Sequence, residues 1–515
     1  MARLEPTVAS PGTWLPRTTA SVVDRGLAAA IALAIALAAG SLTTFIAPRG
    51  PTTMANALFL MALGLSIGLL GGVLGRSRWI LVPMAAAQIV GIEIARLDFV
   101  APTLDLRFDN SYGIVAFVIT RGVHWLLAFL SMTCGVLTGV AMARRRGWAQ
   151  VQTRAHRPIG SALIGIATAG LVILVAWPAS TPPVLGPDGQ PVPGSINELT
   201  TVRLGGSDQT VMIRAADADK PVLLYLSGGP GQSDLAFSRV FTSGWVQDFV
   251  FVDLDQRGNG ASYPAIDPVS AFTLDRAVAD VIELTDYLRA RFGEQKIYLM
   301  GESWGTILGV RAVQQRPDLY HAWIGSGQMV DVLETDRRIY QDFVAYAART
   351  GDADFEATLR EMGPPPYRDF PWANANILGW YDFLYKPYSP SASYMARGEA
   401  AGLDPFGALG SEYDFIQKTN VLRGLIDTFA VVYPQLYDID FRESVARLEV
   451  PVYVLDGAAE LEGRRSLMLE WFDQLDAPSK QLVTYQGAAH SVAFEQADEV
   501  QRLLNETIVP QTYGR

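Results

Sequence analysis

The segment G-E-S-W-G at 301–305 has the residue types of a serine nucleophile held on a tight turn. The apolar run that ends at Met300 predicts a strand before it, and the run from Thr306 to Gln315 predicts a helix after it. Small residues at 301 and 305 let neighbouring segments pass closely. A strand-turn-helix of this kind, called a nucleophile elbow, exposes the serine at the helix N-terminus. We therefore predict that Ser303 is a nucleophile rather than a structural turn serine.

A serine hydroxyl is a weak nucleophile and needs a general base. The chain has four histidines. His490, in Q-G-A-A-H-S, lies in the loop after the last predicted strand. Enzymes with a nucleophile elbow carry their catalytic histidine at this position. His124 lies in an apolar run, His156 in an arginine cluster, and His321 at the start of the strand after the elbow helix. We expect these three to be remote and predict His490 as the base.

The third catalytic group is an acid that orients the imidazole and stabilises its protonated form. The preceding strand reads P-V-Y-V-L-D-G-A-A-E and offers two carboxylates. Asp456 ends the strand, whereas Glu460 lies in the turn beyond it. We favour Glu460, keep Asp456 as the alternative acid, and rank Glu462 third.

An oxyanion hole needs backbone N–H groups aimed at the developing negative charge. The segment L-S-G-G-P-G-Q-S at 226–233 follows a predicted strand, and its glycines allow close backbone approach to a substrate. Gly228 or Gly229 is predicted to supply one N–H group and Trp304 the other. A further segment, D-Q-R-G-N-G-A-S, is expected to support the site through Asp255 and Arg257.

Strand and helix patterns alternate through this part of the chain, which predicts a mostly parallel sheet covered by helices on both faces. The alternation stops between about 330 and 440, where aromatic, helical patterns predict a cap above the sheet. The predicted strands are 199–204, 209–215, 221–226, 248–253, 296–300, 321–326, 450–455 and 481–485, and the predicted helices are 272–291, 304–315, 464–474 and 493–508.

The first 178 residues have a different composition. Five long apolar runs predict an all-α transmembrane domain, because about 18 such residues suffice to span a bilayer. Buried core helices are the alternative, but five runs with almost no amphipathic period disfavour it. The runs are 26–47, 54–75, 79–99, 122–143 and 159–177. A Pro/Gly-rich linker at 179–195 joins this domain to the α/β domain at 196–515.

Charge divides the chain in the same way. The first 178 residues carry 14 Arg, no Lys and 6 acids, whereas the remainder carries a net charge of −19. The acidic part argues against nucleic-acid binding, and the single cysteine, Cys134, excludes an intramolecular disulfide. Arginines gather before the first run and in alternate loops, which predicts a multi-pass bacterial-type plasma-membrane protein with an extracytoplasmic C-terminal domain. The third run is the weakest of the five. If it did not span the membrane, the C-terminal domain would lie on the cytoplasmic side. Arg121 and His124 lie near the outer end of the fourth span. Ionisable groups within a membrane are often functional, but an interfacial arginine that reaches the lipid headgroups is the favoured interpretation.

The motifs S-G-G-P-G, D-Q-R-G-N-G-A-S and G-E-S-W-G together resemble those of the proline iminopeptidase branch of the α/β hydrolases, in the same order and at similar spacing. The resemblance covers about 196–515. It implies an α/β-hydrolase fold with a helical cap, Ser303 as nucleophile and His490 as base. It also implies Glu460 as the acid, in a G-A-A-E turn where the family has Asp. Gly228 and Trp304 match the family's oxyanion positions.

The family binds the free amino group of its substrate with acidic cap residues. Cap acids are present here, but the sequence aligns none of them to that role: Glu334, Asp336, Asp342, Glu356 and Glu361. Two departures from the family pattern are Ser227, where the family has histidine, and Glu302, directly before the nucleophile. Glu302 puts the aminopeptidase assignment in more doubt than the hydrolase assignment.

The sequence thus predicts a membrane-anchored serine hydrolase that removes N-terminal residues from short peptides. No motif for a metal or an organic cofactor is found, so none is expected. An esterase or lipase using the same residues is the first alternative. A catalytically silent hydrolase-fold sensor or binding module is the second, and a small transporter with a fused hydrolase is the third. The expected partners are a small peptide or ester substrate and the lipid bilayer.

Overall fold

A computed structural model describes residues 17–97, 107–148, 158–400 and 410–514. The chain divides into two compact units. The first comprises Met1–Gly50, Asn56–Val100 and His124–Ile173, and the second comprises Pro51–Ala55, Ala101–Val123 and Leu174–Arg515. His156 and residues 98–99 of the third predicted run lie outside the described residues.

The regular secondary structure of the N-terminal part, over its described residues, is helical. Five of its stretches are long and apolar enough to cross a membrane among the residues described, and the fourth begins at Ser111 rather than at the predicted 122. Asn110 caps that earlier start by accepting from the Tyr112 amide at 2.8 Å. The helices are α1 (Arg17–Ile46), α2 (Met54–Gly75), α3 (Leu81–Ala95), α4 (Ser111–Phe117), α5 (Val123–Arg145) and α6 (Pro158–Ala176), with a π-helical stretch, Val118–Gly122, joining α4 to α5.

Glycines at four-residue spacing bring α2 and α5 into backbone contact. A Cβ added at each would collide with a carbonyl oxygen of the facing helix, at 2.2 to 2.5 Å. This small-xxx-small arrangement is how apolar helices approach closely where water supplies no driving force between them. The glycines are Gly64, Gly68 and Gly72 of α2 and Gly135 and Gly139 of α5.

The second unit is built on a sheet of eight strands within the described residues, in the order β1-β2-β4-β3-β5-β6-β7-β8. The first two strands form a hairpin and β2 pairs antiparallel with β4, whereas the remaining pairs are parallel. The strands are β1 (Ile196–Leu204), β2 (Ser207–Ala215), β3 (Val222–Leu226), β4 (Val250–Leu254), β5 (Ile297–Glu302), β6 (Tyr320–Ser326), β7 (Val452–Gly457) and β8 (Lys480–Tyr485).

Helices cover both faces of this sheet, because its strands present apolar side chains on both faces. In β3, Leu224 packs into one core cluster whereas Leu223 and Tyr225 pack into the other. The arrangement is an α/β-hydrolase fold. Its helices before the cap are α7 (Leu235–Phe241), α8 (Leu274–Phe292) and α9 (Trp304–Gln315).

The insertion after β6 is helical, and five helices among its described residues form a cap between that strand and β7. Their bounds are α10 (Val332–Thr350), α11 (Ala353–Met362), α12 (Trp372–Tyr385), α13 (Ala392–Ala400) and α14 (Phe415–Val432). Asp414 and Gln417 form a capping box that begins α14. The helices that follow are α15 (Phe441–Ser444), α16 (Glu462–Gln474), α17 (Val492–Glu495), α18 (Ala497–Leu503) and α19 (Val509–Thr512).

The Pro/Gly-rich segment at 179–195, predicted as an extended linker, instead turns back on itself, and Leu185 and Pro191 form an isolated antiparallel bridge. Val184 is buried, and its amide donates to the Asn197 side chain of β1 at 2.5 Å. The Arg214 guanidinium donates to Thr181 and to the Pro182 carbonyl. These contacts hold the segment against the domain that it precedes.

We expect Gly68→Ala to destabilise the N-terminal helices by about 1–3 kcal/mol, since the added methyl group overpacks a backbone contact. In this substitution the Cβ atom meets the Met132 carbonyl oxygen at 2.2 Å. Gly165→Ala in α6 is the matched control, because a Cβ there has open space within 4 Å. Thermal loss of helical circular dichroism in detergent measures both variants, and equal stability of the two would contradict this prediction.

Candidate active site

The turn between β5 and α9 holds Ser303 in a strained backbone conformation, with φ of 52° and ψ of −118°. Non-glycine residues rarely adopt a positive φ, and at such sites the strain is held by close packing around it. A Cβ on Gly301 would lie 2.5 Å from the Gly305 carbonyl oxygen, and a Cβ on Gly305 would lie 2.2 Å from that of Leu226. Glycine is therefore required at both positions for the turn to form.

His490 and Glu460 are in direct contact. The Nδ1 atom of His490 is hydrogen-bonded to Oε2 of Glu460, although the two residues come from separate loops after β8 and β7. The other carboxylate oxygen accepts from the Arg464 guanidinium at 3.0 Å and from the Leu461 amide at 2.7 Å. Burial would raise the pKa of Glu460, but the charges of His490 and Arg464 outweigh it and lower that pKa to about 2. Glu460 is thus an ionised partner for the imidazole at neutral pH.

Asp456, the alternative acid, has other partners. Arg465 donates to both of its carboxylate oxygens, with contacts of 2.8 to 3.1 Å, and the Thr484 hydroxyl donates at 2.9 Å. The structure therefore brings Glu460, and not Asp456, to His490. Glu462 is exposed in the first turn of α16.

The glycine-rich loop after β3 lies beside the nucleophile. A Cβ on Gly228 would be 3.3 Å from the Ser303 Cβ, so only glycine leaves space there for a reacting group. Gly229 has a φ of +114°, which a side chain would strain. Gly228 and Trp304, the first residue of α9, thus lie next to Ser303, and the oxyanion role of Gly228, Gly229 and Trp304 stays a prediction.

Gln256 links these parts, and sequence analysis did not single it out. Its side-chain oxygen accepts from the Trp304 indole N–H at 2.8 Å, and its amide nitrogen donates to the Ser227 carbonyl at 2.9 Å. It therefore ties the elbow to the glycine-rich loop. The sequence feature that could have identified Gln256 is its position within the D-Q-R-G motif.

Asp255 and Arg257 lie in the layer beneath the site. Asp255 accepts from the Ala261 amide at 2.7 Å and the Tyr413 hydroxyl at 3.1 Å, and burial raises its pKa to about 7. Arg257 forms a two-pronged ion pair with Asp280 at 2.8 and 3.2 Å. Both residues thus bond to neighbouring segments, and their supporting role at the site stays a prediction.

Glu302, directly before the nucleophile, is fully enclosed. Its Oε1 atom accepts a hydrogen bond from the Ser491 hydroxyl at 2.9 Å, and Ser491 directly follows His490 in the chain. Burial raises the pKa of this carboxyl well above its usual value, which favours the neutral form. Glu302 thus connects the elbow to the loop that carries His490.

A cavity of about 540 Å³ opens onto both Ser303 and His490. Most of its lining is apolar and comes from the cap helices. Of the five cap acids named above, Asp336 lines the cavity in the described structure. Its Oδ1 atom accepts from the Tyr433 hydroxyl at 2.7 Å, whereas Oδ2 is buried without a hydrogen-bond partner among the described residues. Burial raises the pKa of Asp336 to about 7.

The described residues contain no group of three or more His, Cys, Asp or Glu side chains arranged to hold a metal ion. His124 is buried in α5, within the other compact unit. His321 lies in β6 between the rings of Tyr298 and Tyr513, where burial lowers its pKa to about 4. Neither residue lines the cavity.

Comparison with known proteins agrees with this architecture. Residues 222–352 match the family model described as serine aminopeptidase, S33. The chain is 28% identical over 303 residues to the probable aminopeptidase YbaC of Bacillus subtilis (strain 168). The matched region covers 59% of this chain and 93% of that protein. The chain is therefore a hydrolase-fold protein of the α/β type that is similar to aminopeptidases.

Solved structures with a similar fold include two whose names mention proline iminopeptidase. One is a proline iminopeptidase-related protein from Thermus thermophilus, at 18% identity and a TM-score of 0.42, covering 62% of this chain and 98% of that one. The other is the proline iminopeptidase of Mycobacterium smegmatis, at 15% identity and a TM-score of 0.42, covering 60% and 97%.

The two candidate acids are distinguished by Glu460→Gln and Asp456→Asn. We expect Glu460→Gln to slow fluorophosphonate labelling of Ser303 by roughly 10²- to 10⁴-fold, because the amide disfavours the productive imidazole tautomer and its protonated form. Asp456→Asn is the matched control and should label at nearly the parent rate, since its partners are Arg465 and Thr484. The reverse order of the two rates would identify Asp456 as the acid.

Proposed function

We propose that this protein is a membrane-anchored serine hydrolase of the proline iminopeptidase type, which removes N-terminal residues from short peptides. The observation that carries the proposal is one cavity lined by Ser303, by His490 bonded to an ionised Glu460, and by the buried carboxylate of Asp336. The similarity to serine aminopeptidases over residues 222–352 supports the reaction class.

In the proposed mechanism, His490 removes the Ser303 proton as the hydroxyl oxygen attacks the scissile carbonyl carbon. Glu460 keeps the imidazole in the required tautomer and stabilises its positive charge. The N–H groups of Trp304 and of Gly228 or Gly229 donate to the oxyanion. His490 then protonates the leaving amine, and a water molecule, deprotonated by His490, releases the acyl group from Ser303.

Asp336 is the proposed acceptor for the substrate's free amino group. An unpaired carboxylate oxygen in an apolar enclosure is costly, and a bound ammonium group offsets that cost by charge and hydrogen bonding. The surrounding aromatic side chains of the cap exclude water and strengthen this attraction. The nearby Tyr433 hydroxyl orients the carboxylate through its other oxygen.

An esterase acting through the same residues is the second candidate, and the largely apolar cavity favours it. An ester substrate needs the nucleophile, base and oxyanion donors, but it makes no use of Asp336. The two functions therefore differ in whether a free amine is required. A silent binding module would need none of the catalytic residues to be reactive.

The membrane location is proposed from the five apolar stretches and from the arginine distribution of the loops. The close glycine packing of α2 against α5 is also typical of membrane helices. We propose that the hydrolase domain lies outside the cytoplasm.

Free-amine dependence tests the proposed activity. We expect the purified protein to cleave alanyl- or prolyl-p-nitroanilide but not the N-acetylated forms, and Ser303→Ala to abolish both cleavage and fluorophosphonate labelling. Labelling together with equal cleavage of acetylated substrates would instead identify an esterase or general amidase. Absence of labelling in a folded parent protein would leave the binding-module alternative.

The pH dependence should separate Asp336 from the catalytic residues. The ratio of kcat/KM for alanyl-p-nitroanilide to that for p-nitrophenyl propionate cancels titration of the shared base. Since the pKa of Asp336 is raised to about 7, this ratio should rise as the pH passes about 7 and the carboxylate ionises. It should fall again above about 8, where the α-amino group loses its proton. Asp336→Asn should lower the ratio and remove its rise.

Topology is tested by single cysteines in a Cys134→Ser background. The two variants are Asp217→Cys and Arg146→Cys. Asp217 is exposed in the loop after β2 of the hydrolase domain, and Arg146 is exposed directly after α5. We expect a membrane-impermeant maleimide to label the first variant in intact cells and the second only after permeabilisation. The opposite pattern would place the hydrolase domain in the cytoplasm.

A further inference from the structure

The active-site cavity is larger and more apolar than removal of a small N-terminal residue requires. Its volume of about 540 Å³ falls in the range of sites that enclose drug-sized ligands. Apart from the reactive groups and Asp336, its walls are mainly hydrocarbon and aromatic surface. What occupies this remaining space determines the substrate class, and the following inference rests on the proposed hydrolase function.

One wall of the cavity comes from the N-terminal part of the chain. Tyr112 and Val115 of α4 both line it, and α4 belongs to the same compact unit as the hydrolase sheet and cap. The Tyr112 hydroxyl lies 3.4 Å from the position of a Cβ on Gly379, directly after the cavity residue Leu378 in α12. A segment more than 180 residues before Ser303 in the chain thus contributes to the site.

Charged and polar contacts hold α4 against the cap. Arg107 donates through two nitrogens to the two carboxylate oxygens of Asp369, at 2.9 and 3.0 Å. The Asn110 side chain, which caps α4, donates to Asn376 at 3.1 Å. Paired geometry of this kind fixes orientation as well as distance.

Arg423 of α14 makes the deepest of these contacts. It is fully buried and donates to the Pro51 carbonyl at 2.6 Å and to the Ile119 carbonyl at 2.7 Å. The neighbouring Asn420 donates to the Thr52 carbonyl at 2.8 Å. Ile119 lies in the π-helical stretch, where the altered bonding pattern allows a backbone carbonyl to accept from outside the helix.

The residues between these anchors form a continuous apolar cluster. Ala116 and Ile119 are buried against Trp372 and Ile426, with Tyr112 packed on the cluster. Trp372, Ile426 and Tyr112 also line the cavity. The α4 wall is therefore part of a packed core and not a loosely placed lid.

The edge of this wall is apolar and accessible. Val115 is 40% exposed and Leu378 is 46% exposed, and both line the cavity. Beyond Val115, α4 continues into α5 as the apolar stretch Ser111–Arg145, which is long enough to cross a membrane. Val118, one turn beyond Val115, is 52% exposed, so a hydrocarbon group leaving the cavity along this helix meets a further apolar side chain.

We infer that the substrates are amphiphiles. The scissile carbonyl lies at Ser303 with the amino group near Asp336, and a long hydrocarbon group on the leaving side lies along α4 against Tyr112, Val115 and Leu378. Attack by Ser303 then expels the hydrocarbon-bearing alcohol or amine, which takes its proton from His490, and water releases the amino acid.

The test uses the full-length protein in lipid nanodiscs and L-alanine n-alkyl esters from ethyl to decyl. All members share the amino group and the scissile bond, so only the hydrocarbon length changes. We expect kcat/KM to rise by about fourfold per added methylene until the apolar space is filled, as burial of a methylene predicts. Spontaneous hydrolysis is measured without protein and subtracted.

Val115→Asn and Ile114→Asn form the matched pair of variants. Ile114 is the adjacent residue of α4, is 46% exposed, and is absent from the cavity lining in the described structure. The readout is the decyl-to-ethyl ratio of kcat/KM, which does not depend on the fraction of folded enzyme. We expect Val115→Asn to lower this ratio at least about fourfold, as loss of contact with one or two methylenes predicts, and Ile114→Asn to retain it. Partitioning of long esters into lipid affects both variants equally.

Fluorophosphonate titration in the same samples separates the two levels of failure. Labelling of Ser303 with a flat chain-length profile would overturn the amphiphile inference and leave the hydrolase proposal standing. A rising profile that both variants change equally would overturn the assignment of the α4 wall. Absence of labelling in the parent would overturn the proposed function itself.

Discussion

The close approach of the elbow to the end of β3 is the constraint on which the rest of the site depends. Because a Cβ at Gly305 would lie 2.2 Å from the Leu226 carbonyl oxygen, only glycine permits this approach. The same contact brings the loop that follows Leu226 beside Ser303, so one steric requirement positions both the nucleophile and the oxyanion loop. Gln256 then fixes their separation through its bonds to Trp304 and Ser227.

Charge in an enclosed apolar site is the second organising factor. Glu460 remains ionised because Arg464 supplies positive charge at one carboxylate oxygen and His490 binds the other. Asp336 lacks comparable compensation, and burial raises its pKa to about 7. Glu460, which binds the cavity residue His490, and Asp336, which lines the cavity itself, thus have opposite pKa shifts. Active sites assign different roles to similar groups in this way. This contrast supports the proposed division between an orienting acid and an amine acceptor.

Helix α14 has two distinct faces, and they connect the N-terminal residues to the site. Asn420 and Arg423 bind backbone carbonyls of residues 51, 52 and 119, whereas Ile426 and Phe429 line the cavity. Burying a guanidinium is costly unless its donors are paired, so displacing these carbonyls would leave Arg423 in an unfavourable environment. The cap and the α4 wall are therefore expected to form or fail together, which ties the shape of the cavity to the N-terminal part of the chain.

The sequence by itself determined the α/β-hydrolase fold and the apolar, helical character of the N-terminal part. Strand and helix patterns predicted the mostly parallel sheet and the apolar helices, because these patterns are properties of neighbouring residues. The resemblance of three ordered motifs to a known family identified the sheet as that of an α/β hydrolase. The G-x-x-x-G spacing of α2 and α5 was also present, but its facing helix cannot be identified from spacing alone. Tertiary structure decided which carboxylate meets His490, since Asp456 and Glu460 follow the same strand and differ only in the partners that folding brings to them. It also decided that Tyr112 and Val115 line the cavity with Ser303 and His490, because contacts between residues so distant in the chain leave no periodic signal in the sequence.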